Sequence, residues 1–168
     1  MLIVVAVLLF VAGGAGAIAH AIAGPPIRIA GATIHPEAGW TVLRRADAGT
    51  LHRVVLVRGS DAVDVTAIDG YEGTAADLAQ RYETGVLAGQ LDQLSIGDPE
   101  SGALEDGTPT VRYAYIGITH DGVAVEGIVT TAVGPDGTGV VFDAFAPKGA
   151  LASVVADLTS MIDRTEVD

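Results

Sequence analysis

Hydrophobic and polar positions follow two different rules along this chain. From Leu2 to Ala23 no side chain carries a full charge, and His20 is the one ionisable group in the run. As a helix such a run is long enough to cross a hydrocarbon core, and Pro25-Pro26 would end it. Beyond the prolines, apolar residues fall at the two-residue period of strands. Ile27-Arg28-Ile29-Ala30 alternates, Gly39 to Leu43 is extended, and Leu51 to Gly59 with Asp61 to Asp69 reads as a hairpin. Three longer runs come next: Thr110 to Thr119, Val123 to Val133 and Gly139 to Phe145. His120-Asp121-Gly122 and Gly134-Pro135-Asp136-Gly137 join them, which predicts an antiparallel meander.

Helical spacing occurs twice. Thr74 to Leu94 opens with Thr74 as a cap and Asp77 supporting the first turn. Its apolar residues take two sides, Leu78, Tyr82 and Val86 against Leu87, Leu91 and Leu94, with Gly85 and Gly89 between. A bend or burial on two sides would account for this. The closing helix is simpler: Leu151, Val154, Val155, Leu158, Met161 and Ile162 share one face, with Lys148, Asp157 and Asp163 outside it. Gly97 to Pro109 reads as an acidic loop. In the central strands both parities are apolar, Val125 and Val129 against Ala124, Ile128 and Ala132, so both faces of the sheet are expected to be covered. The predicted fold is α+β: a three-layer α/β/α sandwich with a mainly antiparallel sheet of about six strands over residues 25–168, preceded by one N-terminal transmembrane helix over 1–24.

Two other readings of the opening run compete with the anchor. A signal peptide would use Ala19-His20-Ala21 for cleavage, but no basic stretch precedes the apolar one. A dinucleotide-binding turn would use Gly14-Ala15-Gly16-Ala17-Ile18-Ala19, with Glu37 toward the ribose. Pro25-Pro26 would cut the next helix short, and no βαβ alternation comes after it. The anchor is favoured. Within it, Ala12 and Gly16, and the row Ala15, Ala19 and Ala23, place small residues at four-residue spacing, a candidate helix-packing interface. An Ala/Gly-rich run also produces that spacing by chance. The domain is expected on the extracytoplasmic face, on a short stalk.

Charge narrows the partners. With 21 acidic residues against 9 basic ones the net charge is −12, which excludes nucleic acid as a partner, because that affinity comes from neutralising phosphates. It argues equally against a polybasic grip on lipid headgroups, and Arg44-Arg45, the one adjacent basic pair, is too short for a binding stripe. Part of the 49% hydrophobic content is the opening run itself. The absence of cysteine excludes disulfides, zinc–thiolate sites, a thiol nucleophile and a lipidated cysteine.

Reactive groups are scattered. His20, His35, His52 and His120 show no metal-ligand spacing, and Asp98, Glu100, Glu105 and Asp106 lack the alternation of a calcium loop. Ser60, Ser95, Ser101, Ser153 and Ser160 sit in no nucleophile elbow. No catalytic, cofactor-binding or metal-binding residue is nominated, and a non-enzymatic protein is expected. One constellation remains. If turns at Asp121-Gly122 and Pro135 to Thr138 set the registers, Tyr113, Thr130 and Asp143 align across neighbouring strands, with Tyr115, Ile128 and Phe145 in the next row. Such a row is either a polar-floored pocket or, as favoured, a satisfied buried network of Tyr hydroxyl and Asp carboxylate beneath a helix. Trp40 is expected to be a core anchor rather than a partner contact.

Pro36-Glu37-Ala38-Gly39-Trp40, the single mid-chain helix, Arg112-Tyr113-Ala114-Tyr115, the long hairpins and the closing helix together resemble the Mog1/PsbP-like superfamily. The resemblance covers the chain from about Ile27 onward and is architectural rather than motif-based. It implies an α/β/α sandwich serving mostly as a non-catalytic accessory module of larger assemblies, such as photosystems or transport machinery. The Ala/Gly/Val/Asp-rich composition suggests a high-GC bacterium of actinobacterial type. The expected function is therefore a single-pass membrane accessory protein that docks on or stabilises an integral membrane protein complex, in envelope transport or energy transduction. The alternative is a carrier that holds a small apolar or lipid ligand between sheet and helix.

Overall fold

The computed structural model describes residues 24–168, so the expected anchor and its small residues Ala12, Ala15, Gly16, Ala19 and Ala23 lie outside the described residues. Among the described residues no helix is long and apolar enough to cross a membrane. In chain order the elements are β1 (Ile27–Ile29), β2 (Ala32–Ile34), β3 (Thr41–Ala48), β4 (Leu51–Arg58), β5 (Asp61–Ile68), α1 (Ala75–Tyr82), a π-helical turn (Glu83–Leu87) and α2 (Ala88–Gln90). They continue with β6 (Leu91–Ile96), β7 (Glu100–Ala103), β8 (Pro109–Thr119), β9 (Ala124–Val133), β10 (Gly139–Pro147), a 3-10 turn (Leu151–Ser153), α3 (Val155–Asp163) and β11 (Glu166–Val167).

The main sheet runs β3-β4-β5-β10-β9-β8-β6, with β7 also paired to β8, and each of its pairings is antiparallel. A second sheet, β1-β2-β11, ties the start of the domain to Val167. Alternation sorts the central side chains into two cores. Val140, Phe142 and Ala144 of β10 join Val54, Leu56, Val63 and Val65 beneath Leu158, Met161 and Ile162 of α3 and the isoleucines of the small sheet. Val141 joins Tyr113, Tyr115 and Val129 beneath Leu78 and Ala79 of α1. The domain is thus an α+β sandwich, as the apolar character of both strand parities predicts.

Several expectations are corrected. The first helix stops at Gln90, and Leu91 and Leu94 belong to strand β6, so the two-sided pattern records a change of element and not a long bent helix. The π-helical turn inserts an extra residue after Tyr82 and rotates the next turn out of phase with α1, which buries Leu87. The acidic loop contains a strand, since Glu100 to Ala103 pairs with Arg112 to Pro109. The expectation for Trp40 holds: it is 5% exposed and belongs to the core on the α3 side, with the Arg58 guanidinium 5.1 Å from its ring centroid.

The cap of α1 matches its sequence signature. Thr74 Oγ1 accepts from the Asp77 amide at 3.2 Å, and the Asp77 carboxylate accepts from the Thr74 amide at 2.9 Å. Thr74→Ala is expected to lower unfolding stability by about 1 kcal/mol in urea titrations. An unchanged midpoint would mean that tertiary packing alone holds the first turn.

Candidate functional site: a buried carboxylate beneath the first helix

Asp143 lies in the middle of β10, 4% exposed, directly opposite Asp64 of β5. Two carboxylates facing each other across a ladder repel, and each is compensated differently. Asp64 accepts a bidentate pair from Arg53 of β4, through Nε at 2.7 Å and through Nη2. Asp143 accepts the Tyr82 hydroxyl of α1 at 2.8 Å on Oδ2 and the Tyr115 hydroxyl of β8 at 2.8 Å on Oδ1. Tyr115 reaches Asp143 by lying across β9 at Gly127, where a Cβ would overlap its ring.

Burial pushes the Asp143 carboxyl up to about 6, and the nearby Asp64 charge adds to this, while the two tyrosine hydrogen bonds and Arg53 pull it down. Burial, with the Asp143 charge, also raises both tyrosine hydroxyls well above the ordinary range. The result is a carboxyl group able to take up a proton near neutral pH, clamped between a helix and two strands.

The predicted row is only partly assembled. Tyr113 and Asp143 do share a row, but the residue between them is Val129, and Thr130 pairs with Arg112 and Phe142 one position away. Thr130 therefore faces the α3 side, where its Oγ1 accepts from Arg112 Nε at 3.1 Å. In the next row Gly127, not Ile128, separates Tyr115 from Phe145. The slip comes from the turns. His120 to Gly122 and Pro135 to Gly137 are three-residue loops closed by Thr119 with Val123 and by Gly134 with Thr138, and each ends on a glycine with positive φ. An odd loop length shifts the pairing by one residue relative to an even one. Thr131 consequently takes the α1 side, where its Oγ1 donates to the Ala75 carbonyl at 2.7 Å and anchors the helix start. The Tyr113 hydroxyl is buried and, among the described residues, has no hydrogen-bond partner.

A buried tyrosine–carboxylate network therefore exists, built by Tyr82 and Tyr115 rather than by Tyr113. Sequence reasoning misses Asp64, although β5 carries a signal for it. Val63, Val65 and Ala67 form one apolar parity, while Ala62, Asp64 and Thr66 place a charge in the other. Elsewhere, His52 binds Asp47 through Nδ1 at 2.8 Å and Asp69 through Nε2 at 3.1 Å, so the carboxylates sit on opposite ring edges and do not converge on one point. Glu126 accepts from the Leu151 amide at 2.9 Å, and Arg112 reaches Asp163 at 3.5 Å.

α1 lies over β8, β9 and β10. On the same side, Arg53, Val55 and Val57 of β4 and Ala62, Thr66 and Ile68 of β5 remain partly exposed, so this half-face begins at the edge of the Asp64–Asp143 cluster. Two open grooves lie away from it. One, of about 390 Å³, is lined by residues including Asp106, Thr108, Pro135 and Val167, and the other, of about 340 Å³, by residues including Leu94, Ile116, Val125 and Lys148.

No family model matches the sequence, and no curated protein matches it. Solved structures do. The solution structure of cyanobacterial PsbP from Synechocystis superposes with a TM-score of 0.64 at 16% identity, covering 93% of this chain and 98% of that one. The crystal structure of the Saccharomyces cerevisiae Ran-binding protein Mog1p gives a TM-score of 0.55 at 13% identity, covering 88% and 96%. An antiparallel sheet with helical cover on both sides defines the class as an α+β sandwich. Within that class, the chain has the Mog1/PsbP-like fold.

Two measurements probe the cluster. The folded carboxyl of Asp143 titrates above its unfolded value of about 3.9, so ionising it costs stability as pH rises toward and through 6, and the cost disappears below about pH 4. Relative to Asp143→Asn, the wild type is expected to lose about 2 kcal/mol between roughly pH 4.5 and 7.5 in urea titrations. A pH-independent difference would show that the carboxyl is not perturbed. Gly127→Ala should force the Tyr115 ring off Asp143 and lower stability by about 1–3 kcal/mol, whereas an unchanged tyrosine near-ultraviolet spectrum and melting point would show that the ring has room to move.

Proposed function

We propose that this chain is a membrane-anchored, non-catalytic accessory module. Residues 1–24 hold the sandwich domain at the extracytoplasmic face of the cell membrane, and the domain docks on a larger integral membrane complex of envelope transport or energy transduction. The observation that carries the reading is the half-covered sheet. α1 shields only the β8–β10 side, and beside it Val55, Val57, Ala62 and Ile68 remain partly exposed on a rigid β surface. Apolar side chains on a fixed sheet form a docking surface with little ordering entropy to lose. The Arg53–Asp64 pair at its margin supplies a fixed polar contact that would favour one orientation of a partner. The name of the similar yeast protein, Ran-binding protein, gives a precedent for protein recognition on this fold. The uncharged run before the domain supports placement at a membrane.

The test is affinity capture of the full chain from gently solubilised native membranes, with quantitative mass spectrometry. A stoichiometric integral membrane partner is expected with the wild type. It should be lost with Val57→Glu or Ala62→Glu while thermal unfolding stays within a few degrees. Recovery of the chain alone, or of the same partner with both variants, would reject this surface as the docking site.

A further inference from the structure

We infer that the β3 edge, together with Arg28 of β1, is a lipid-facing surface that seats the domain on anionic headgroups. The inference rests on the anchor reading of residues 1–24. Four of the nine basic residues are committed to ion pairs: Arg53 with Asp64, Arg58 with Asp157, Arg112 with Asp163 and Arg164 with Glu37. Arg81 lies over the Tyr71 ring, and Lys148 stands beyond β10. The other three, Arg28, Arg44 and Arg45, line one edge of the sheet: Arg45, opposite Val54, lies on the α3 side beside Arg28, and Arg44, opposite Val55, projects from the other face of the same edge strand. Arg45 Nη1 donates to the Arg28 carbonyl at 3.3 Å, and all three residues are exposed with no carboxylate partner among the described residues.

In sequence the pair Arg44-Arg45 is too short to matter. The fold brings a third arginine beside it from β1, and apolar side chains flank the group. Leu43 is 67% exposed and Val42 43% exposed. Basic residues interleaved with exposed apolar ones suit the headgroup boundary, where charges meet phosphates and aliphatic chains reach the acyl layer. The nearest acid on the strand, Asp47, is held by His52.

Position singles out the membrane as the occupant. Gly24, where the apolar run meets the domain, is four residues before Arg28, so an anchor cannot be more than about 14 Å along the chain from this patch. For a chain of net charge −12, these arginines are where an anionic surface can approach with least repulsion. The competing occupant is a strand from another protein added to the β3 edge. The ladder with β4 shifts between Val42 and Arg44, leaving Leu43 outside the regular pairing, and a bulge of this kind blunts strand addition.

The chain has no cysteine, so a single fluorophore can be placed by Leu43→Cys, with Ser101→Cys on exposed β7, at the other end of the sheet, as control. The full chain is reconstituted in phosphatidylcholine vesicles with and without phosphatidylglycerol, each doped with headgroup-spin-labelled lipid as quencher. Several-fold stronger quenching at position 43 than at 101 is expected in the anionic vesicles. It should fall to the control level in high salt or in the R28E/R44E/R45E variant. The salt arm keeps the result decisive should that variant fold poorly.

Carbonate extraction, run in parallel, reads the anchor separately. Retention with equal quenching at both positions leaves the anchor standing and overturns the lipid-facing edge, returning it to a protein partner. Release by carbonate with selective quenching at position 43 in neutral buffer supports the edge and rejects the anchor. Release without selective quenching overturns both. Selective quenching that ignores salt and phosphatidylglycerol overturns the role of the arginines.

Discussion

A strand buried on both faces must satisfy two environments with alternate side chains, and β10 carries that constraint for the whole domain. Flanked by β5 and β9, it sends Val140, Phe142 and Ala144 into the core beneath α3 and Val141 with Asp143 toward α1. A carboxylate at a fully buried position is tolerable only if the surroundings supply donors. Tyr82 and Tyr115 supply them from a helix and a strand two places away. The polar cluster thereby couples the placement of α1 to the register of β8 and β10, and a one-residue slip in either hairpin would leave the charge unpaired.

The strand regions and the closing helix are legible in the chain because period-two and period-three-to-four signals survive single substitutions. Thr74 and Asp77 announce the helix start because a capping box is a local device. The failures have local causes as well. Leu91 and Leu94 continue an apolar spacing that looks helical, and only the pairing of Leu94 with Gly117 reveals a strand. Thr130 and Thr131 are adjacent and chemically alike, so composition gives no preference for which faces the helix. The positive-φ glycines at 122 and 137 decide it. Tyr82 and Asp143 meet across 61 positions of sequence, a closure that no periodicity encodes.

Burial divides the molecule unevenly. The α3 side carries the large aliphatic core and the small sheet, whereas the α1 side mixes tyrosines, an ion pair and a half-covered surface. The first arrangement buries the larger set of aliphatic side chains, and the second leaves apolar groups partly exposed beside a fixed ion pair. The arginines of β1 and β3 add a third environment at the end where the chain enters the domain.

The small sheet bears on the order of folding. β2 takes β1 as its neighbour within a few residues, but its other edge stays open until Glu166 and Val167 arrive to pair with Thr33 and Ala32. Closing so large a loop costs entropy before any contact repays it. During synthesis, therefore, nearly the whole domain must leave the ribosome before its first strands acquire their full complement of partners. Until then Ile27, Ile29 and Ile34, which end up buried, are surface that a chaperone can hold.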